Sequence, residues 1–372
     1  MKTLLLSFCT LMCLTSCAPK EDADSIRLKN DIAQMLIVGF RGQTLDDTSH
    51  IRRDISDLHV GGVILFEFDA PTRQRKRNIA SPSQVKLLCR QLQQANNDTL
   101  PLLIGIDQEG GVVNRLRQSY GFPFFQSAKA SAAAGPDSVR FYARRTARTL
   151  HKLGINLNFA PCVDVDVNPD CPVIGKLARS FSPDPDQVSA SARIWLDEQQ
   201  KSGVISCLKH FPGHGSADGD THLGLVDVSS SWLPSELIPY RTLIAEDKVP
   251  MVMTAHVRND RLDSLYPASL SSVVTTSLLR DSLHFSGVVI TDDLAMGAIV
   301  SQYGFEEALR LAILAGADLL CLSNNGSDYN PDIAPQAIDI IFRLVKEGAI
   351  PEERIHQSAA RIRHLKQFLP TP

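Results

Sequence analysis

Val204-Ile205-Ser206-Cys207-Leu208-Lys209-His210 is apolar or small on both alternating faces for five residues and then ends in two ionisable side chains. Successive side chains of a strand point to opposite faces, so a run apolar on both suits a parallel strand covered on both sides. Working outward, seven further runs share this character: 34–40, 61–66, 101–107, 155–161, 250–256, 287–292 and 317–323. Between them, segments 83–96, 137–153, 186–201, 235–247, 271–283 and 305–315 carry apolar residues at helical spacing. Strand and helix alternate, which predicts an α/β protein with a parallel sheet. Eight units without a glycine-rich dinucleotide turn favour a (β/α)8 TIM-type barrel over an open doubly wound sheet. Active sites of such barrels lie at the C-terminal ends of the strands, and Asp107, Lys209, His210, His256 and Asp292 each stand at or near one.

The 372 residues suffice for one such barrel with loop insertions. No linker or repeat divides the chain, and 331–372 reads as closing helices with a frayed end. With 44% hydrophobic and 21% charged residues, the composition is that of a globular enzyme rather than a disordered chain. A net charge of -3 exerts no general pull on nucleic acid, so no nucleic-acid partner is expected, and the chain is expected to be a monomer. At the N-terminus Lys2 precedes an apolar run, 4–14, too short to span a bilayer, which is the pattern of a secretory signal. Leu14-Thr15-Ser16-Cys17 resembles the lipobox of bacterial lipoproteins. That resemblance implies a signal peptide at 1–16, lipidation of Cys17, a tether at 17–30 and a single catalytic domain at 31–372. It also implies an exported protein held to a membrane of the bacterial envelope by acyl chains. Of eight cysteines, Cys89, Cys162, Cys171, Cys207 and Cys321 would then remain as cysteines. Cys162, Cys207 and Cys321 lie in or at the end of apolar runs and read as buried thiols; a Cys162–Cys171 bridge is the alternative in an oxidising compartment.

Three segments could carry chemistry. Lys209-His210-Phe211-Pro212-Gly213-His214-Gly215-Ser216-Ala217-Asp218-Gly219-Asp220-Thr221-His222 joins a strand end to a loop that three glycines allow to bend over a pocket. Asp220 and His222, two apart, can set a carboxylate against one imidazole nitrogen and leave the other facing substrate, a usable proton relay. Two rival readings stand beside it. His210 and His214 could be packing residues with Asp220 capping a turn, or His210, His214, Asp218, Asp220, His222 and His256 could ligate a metal. The second segment, Thr291-Asp292-Asp293-Leu294, ends a strand in adjacent carboxylates, of which one can face the barrel mouth while the other caps the following turn. A carboxylate held at an anomeric carbon could act as the nucleophile of a retaining glycosidase. The third, Ile106-Asp107-Gln108-Glu109-Gly110-Gly111 with Arg115, offers a carboxylate and a guanidinium for sugar hydroxyls. Here Glu109 is expected to face solvent and Gly110-Gly111 to form a tight turn.

In order along the chain, Gly61-Gly62-Val63-Ile64-Leu65-Phe66, the Asp107 segment, Pro172-Val173-Ile174-Gly175, Arg179-Ser180-Phe181, the Lys209 to His222 segment and Thr291-Asp292-Asp293-Leu294 with Met296 resemble glycoside hydrolase family 3. Within it they are most similar to the single-domain β-N-acetylglucosaminidases. The resemblance implies a retaining exo-enzyme that needs no cofactor or metal. It makes Asp292 the nucleophile, His222 the general acid/base and Asp220 its orienting partner. Asp107, Arg115, Arg179, Lys209 and His210 become the sugar-binding residues, and peptidoglycan fragments the expected substrate. Two departures stand out: Val112 replaces a common arginine, and 175–179 lengthens the link to Arg179. Because an imidazole acid/base does not repel an anionic acceptor, phosphorolysis on the same scaffold is an alternative, as is a sugar-binding lipoprotein without turnover.

Overall fold

The computed structural model describes residues 22–221 and 224–369. Its centre is a ring of eight parallel strands: β1 Leu36–Gly39, β2 Gly62–Leu65, β3 Leu103–Ile106, β4 Leu157–Asn158, β5 Ile205–Phe211, β6 Met251–Thr254, β7 Val288–Thr291 and β8 Leu320–Leu322. Their order is β7-β6-β5-β4-β3-β2-β1-β8. A parallel bridge between Ile290 and Leu319 joins the two ends, with Thr291 N–H donating to the Leu319 carbonyl at 3.1 Å, so the sheet closes into a barrel. Each strand falls within one of the apolar runs except β5, which extends one residue past its run to Phe211, and every strand residue is buried, as filling a barrel from inside and covering it with helices requires. β4 is the shortest because the Asn158 side chain takes over the ladder: its Oδ1 accepts from Gln108 N–H at 3.0 Å.

Helices follow the strands with terminators legible in the sequence. α3 (Pro82–Ala95), α4 (Pro136–Leu153) and α5 (Pro185–Lys201) each begin with proline at the first turn, where the missing N–H has no helical partner anyway. Ser81 and Asp184 cap α3 and α5, and Gly154 ends α4 at φ 85°. The earlier helices are α1 (Ala23–Gln34) and α2 (His50–Ser56). The later ones include α6 (Ile238–Ala245), α7 (Phe305–Ala315), α8 (Ile333–Lys346) and α9 (Glu352–Lys366).

α1 corrects the expected tether. Asp22 caps it by accepting Ser25 N–H at 2.7 Å, and Leu28 and Ile32 are fully buried. Asp31 pairs with His356 and Arg363 of α9 at 2.7 Å each, and Lys366 donates to Gln34 at 2.7 Å. Residues 23–30 thus belong to the folded body, their apolar stripe hidden by the charges between Leu28 and Ile32. Cys89, Cys162, Cys171, Cys207 and Cys321 are all buried free thiols, and no Cys162–Cys171 bridge forms. Cys17 lies outside the described residues. Among them no helix is long and apolar enough to cross a membrane.

Candidate active site

Three strand ends bring one ionic cluster together at the C-terminal mouth of the barrel. Lys209, near the end of β5 and 2% exposed, donates to Asp107 at 2.8 Å and reaches Glu109 at 2.7 Å. Glu109 is gripped from its other side by Arg179, whose Nε and Nη2 donate to the two carboxylate oxygens at 2.9 and 2.8 Å. Glu109, expected from the sequence to face solvent, is instead 5% exposed and holds two cations in place. Burial by itself would raise both carboxyls, but Arg179 and Lys209 outweigh it at Glu109, and Lys209 and Arg115 at Asp107, so both lie below the usual range. Burial would likewise lower Lys209, and the two carboxylates reverse the sign and hold it charged. Arg115 reaches Asp107 at 3.3 Å with its guanidinium 5.6 Å from the centre of the Phe66 ring. Its Nε is buried without a partner among the described residues. Gly110 and Gly111 do form the expected turn, at φ 99° and 60°.

His210 stands one residue beyond Lys209. Its Nδ1 lies 2.7 Å from Asp164, and its Nε2 lies 3.3 Å from Arg179 Nη2. A guanidinium can only donate, so these contacts fit Nδ1–H donating to Asp164 and Nε2 accepting. Asp164 is fully buried and also accepts the backbone N–H of His214 at 2.8 Å. Burial would raise its carboxyl, yet His210, then His214 and Cys162, keep it well below the ordinary value. Burial, reinforced by His210, lowers His214 to about 4, so that imidazole is neutral. The loop then passes so close to the segment that follows β4 that a Cβ on Gly215 would lie 1.7 Å from the Val165 carbonyl. Asp218 is exposed, Asp220 half-buried and Thr221 buried. His222 lies outside the described residues.

Asp292 follows directly on β7, two strands from Lys209 in the ring. Its backbone N–H donates to the Thr254 carbonyl at 3.0 Å and its carboxylate accepts Asp293 N–H at 2.8 Å. Asp293 takes the other role: its carboxylate accepts Ser323 N–H at 2.9 Å, Ala295 N–H at 3.1 Å and the Ser323 hydroxyl, and burial raises it. His256 pins the same turn, with Nε2 2.9 Å from the Asp293 carbonyl and Nδ1 2.7 Å from Ser269. Both ring nitrogens are engaged, so His256 serves the turn and is not set up as a ligand. Asp107 and Asp292 directly follow β3 and β7 and Lys209 lies near the end of β5, so all three stand at the same end of the barrel.

Of the metal ligands weighed from sequence, only His210 joins a convergent group among the described residues, with Cys162 and Asp164. Those three are already hydrogen-bonded to one another, at 2.7 and 3.2 Å. Asp164 and Glu109 are the site residues that sequence reasoning passed over. The signal for Asp164 was a lone charge within Cys162-Val163-Asp164-Val165, an apolar run just after a strand. For Glu109 there was no local signal, since its partners come from positions 179 and 209.

Residues 27–365 match the family model described as "Glycosyl hydrolase family 3 N terminal domain". The chain is 32% identical to "Beta-hexosaminidase LpqI" of Mycobacterium tuberculosis, covering 94% of this chain and 86% of that protein. It is 36% identical to a "Beta-hexosaminidase" of Tolumonas auensis over 72% of this chain and 76% of the other. Among solved structures, a glycoside hydrolase family 3 beta-N-acetylglucosaminidase from Paenibacillus sp. superposes with a TM-score of 0.82 at 38% identity, covering 92% of this chain and 62% of that one. The structure of M. tuberculosis LpqI gives 0.78 at 32% identity, covering 92% and 94%.

Proposed function

The chain belongs to glycoside hydrolase family 3 and is a glycosidase of its β-hexosaminidase type, and from that premise we propose that it removes terminal β-linked N-acetylglucosamine with retention of configuration. The observation that carries this reading is the division of labour at Asp292 and Asp293. Asp293 is engaged by Ser323 and the turn, while Asp292, directly after β7, stands at the same end of the barrel as the Lys209 cluster. In the proposed first step Asp292 attacks the anomeric carbon, the glycosidic C–O bond breaks, and protonated His222 gives its proton to the departing oxygen. In the second, neutral His222 takes a proton from water as it attacks the glycosyl ester, restoring the Asp292 carboxylate. Asp220 orients His222. Asp107, Arg115, Arg179, Lys209 and His210 hold the sugar, Arg179 also fixing Glu109 and His210.

Peptidoglycan fragments are the proposed source of the substrate. Support comes from the signal and lipobox pattern that ends at Cys17, which would station the enzyme in the envelope beside that polymer. The test is a product assay with muropeptides, chitobiose and an aryl N-acetyl-β-glucosaminide, run with and without phosphate. Free N-acetylglucosamine is expected in both buffers, released fastest from the muropeptide. A sugar phosphate as product would replace hydrolysis by phosphorolysis, and preference for chitobiose would overturn the peptidoglycan assignment. For the anchor, Cys17→Ala should move the protein from membrane to soluble fractions; unchanged partitioning contradicts lipidation there.

A further inference from the structure

Residues 212–221 leave the barrel mouth after β5 and residues 224–233 return ahead of α6, with Asp220 near the end of the outgoing stretch. Two ties close the neck of this excursion. The buried Trp232 indole donates to the Pro212 carbonyl at 3.1 Å. Glu236, fully buried, accepts Gly215 N–H at Oε2 (3.0 Å) and Leu233 N–H at Oε1 (3.2 Å), so one carboxyl group bridges the outgoing and returning limbs. The fit is close: a Cβ on Gly213 would stand 2.6 Å from Glu236 Cβ and 2.8 Å from Oε2. Glycine is what lets the outgoing limb pass against this carboxyl, and at φ 121° no other residue adopts the turn without strain. On the far side of the same limb Asp164 accepts His214 N–H at 2.8 Å, so consecutive peptides are held from two directions.

We propose that Glu236 is a positioning residue for proton transfer, fixing the limbs at the barrel mouth from which the segment bearing Asp220 and His222 departs. This rests on His222 as the acid/base. None of Lys209, Asp107, Glu109 and Arg179 is hydrogen-bonded to Glu236; they are held by one another and by the strand ends, and His210 is held to Asp164 from the opposite side of the limb. Loosening the neck should therefore misplace the proton donor while leaving the sugar grip intact. Burial raises the Glu236 carboxyl to about 7, but in either protonation state each oxygen keeps a lone pair for its N–H. An amide does not: with one oxygen and one NH2, it loses one of the two ties.

The experiment measures kcat/KM, which reports steps up to departure of the aglycone, for aryl N-acetyl-β-glucosaminides from 2,4-dinitrophenyl to phenyl. Dinitrophenolate leaves without a proton, whereas phenolate needs one. Glu236→Gln should slow the phenyl substrate about tenfold or more, part of the 10²–10⁴-fold worth of a general acid, and change the dinitrophenyl substrate by less than about threefold. His222→Ala is the reference and should show a steeper version of the same pattern. A His222→Ala series that is steep beside a flat Glu236→Gln series overturns the role of Glu236 alone. A flat His222→Ala series overturns the acid/base assignment beneath it. Should Glu236→Gln fail to fold, Trp232→Phe breaks the other tie and must give the same leaving-group dependence; equal loss on every substrate would reject the proposal.

Discussion

The two ends of the segment from Lys209 to His222 are built on different principles. At the strand end, Lys209 and His210 are buried, and each side chain meets two charged partners contributed by other strand ends or loops. At the loop end, Asp218 is exposed and Asp220 half-buried, and position is transmitted through backbone ties at Pro212, Gly215 and Leu233. On the proposed reading a sugar is met by groups in fixed places, which the ion pairs at the strand ends would supply. A proton donor must serve a leaving group and then a water, and a loop held at its neck can stand over both.

This contrast can be broken in several ways. His222→Ala, at the loop end, should lower kcat by about 10²–10⁴-fold with KM nearly unchanged, measured on phenyl N-acetyl-β-glucosaminide; a large rise in KM would blur the division. Lys209→Met, at the strand end, leaves Glu109 with Arg179 as its cation and Asp107 with Arg115, and should destabilise the fold by up to about 3–5 kcal/mol while raising KM, read by denaturant unfolding and kinetics. His214 lies between the two ends and gives a pH test. Burial lowers it to about 4 in the fold, whereas its ordinary value is 6.5, so the unfolded chain takes up this proton first on acidification. Its contribution is full above about pH 6.5 and lost as pH falls toward 4, on the order of 2–3 kcal/mol. His214→Asn should flatten that part of the stability-against-pH curve. Asp218→Ala should change stability by less than about 0.5 kcal/mol and activity hardly at all, as for an exposed residue outside both halves.

The barrel was legible because its signal is local. Each strand is a short run apolar on both faces, and each major helix starts or stops on proline, serine, aspartate or glycine. The candidate site was legible where polarity interrupts that pattern, as at Asp107, Lys209, His210 and Asp292, which the structure gathers at one end of the barrel. It was illegible where a residue's meaning comes from a distant partner. Glu109 reads as a surface carboxylate beside two glycines until Arg179 and Lys209 close on it. Glu236 reads as an ordinary first-turn acid in Pro234-Ser235-Glu236-Leu237 until Gly215 is brought to it. His256 erred the other way: a strand-end histidine suggested a ligand, and both nitrogens turned out to brace the Asp293 turn and Ser269. α1 was missed since its core-facing residues are spaced among charges that also suit a tether.

The central claim is that Asp292 carries the sugar as a covalent ester. Its most direct test is mass spectrometry of the enzyme incubated with a 5-fluoro N-acetylglucosaminyl fluoride, which forms the glycosyl-enzyme but releases it slowly. After proteolysis, a sugar adduct is expected on the peptide containing Asp292 and on that residue by fragmentation, and it should be absent in Asp292→Ala. An adduct on another carboxylate, or first-formed product of inverted configuration with no adduct at all, would contradict the account.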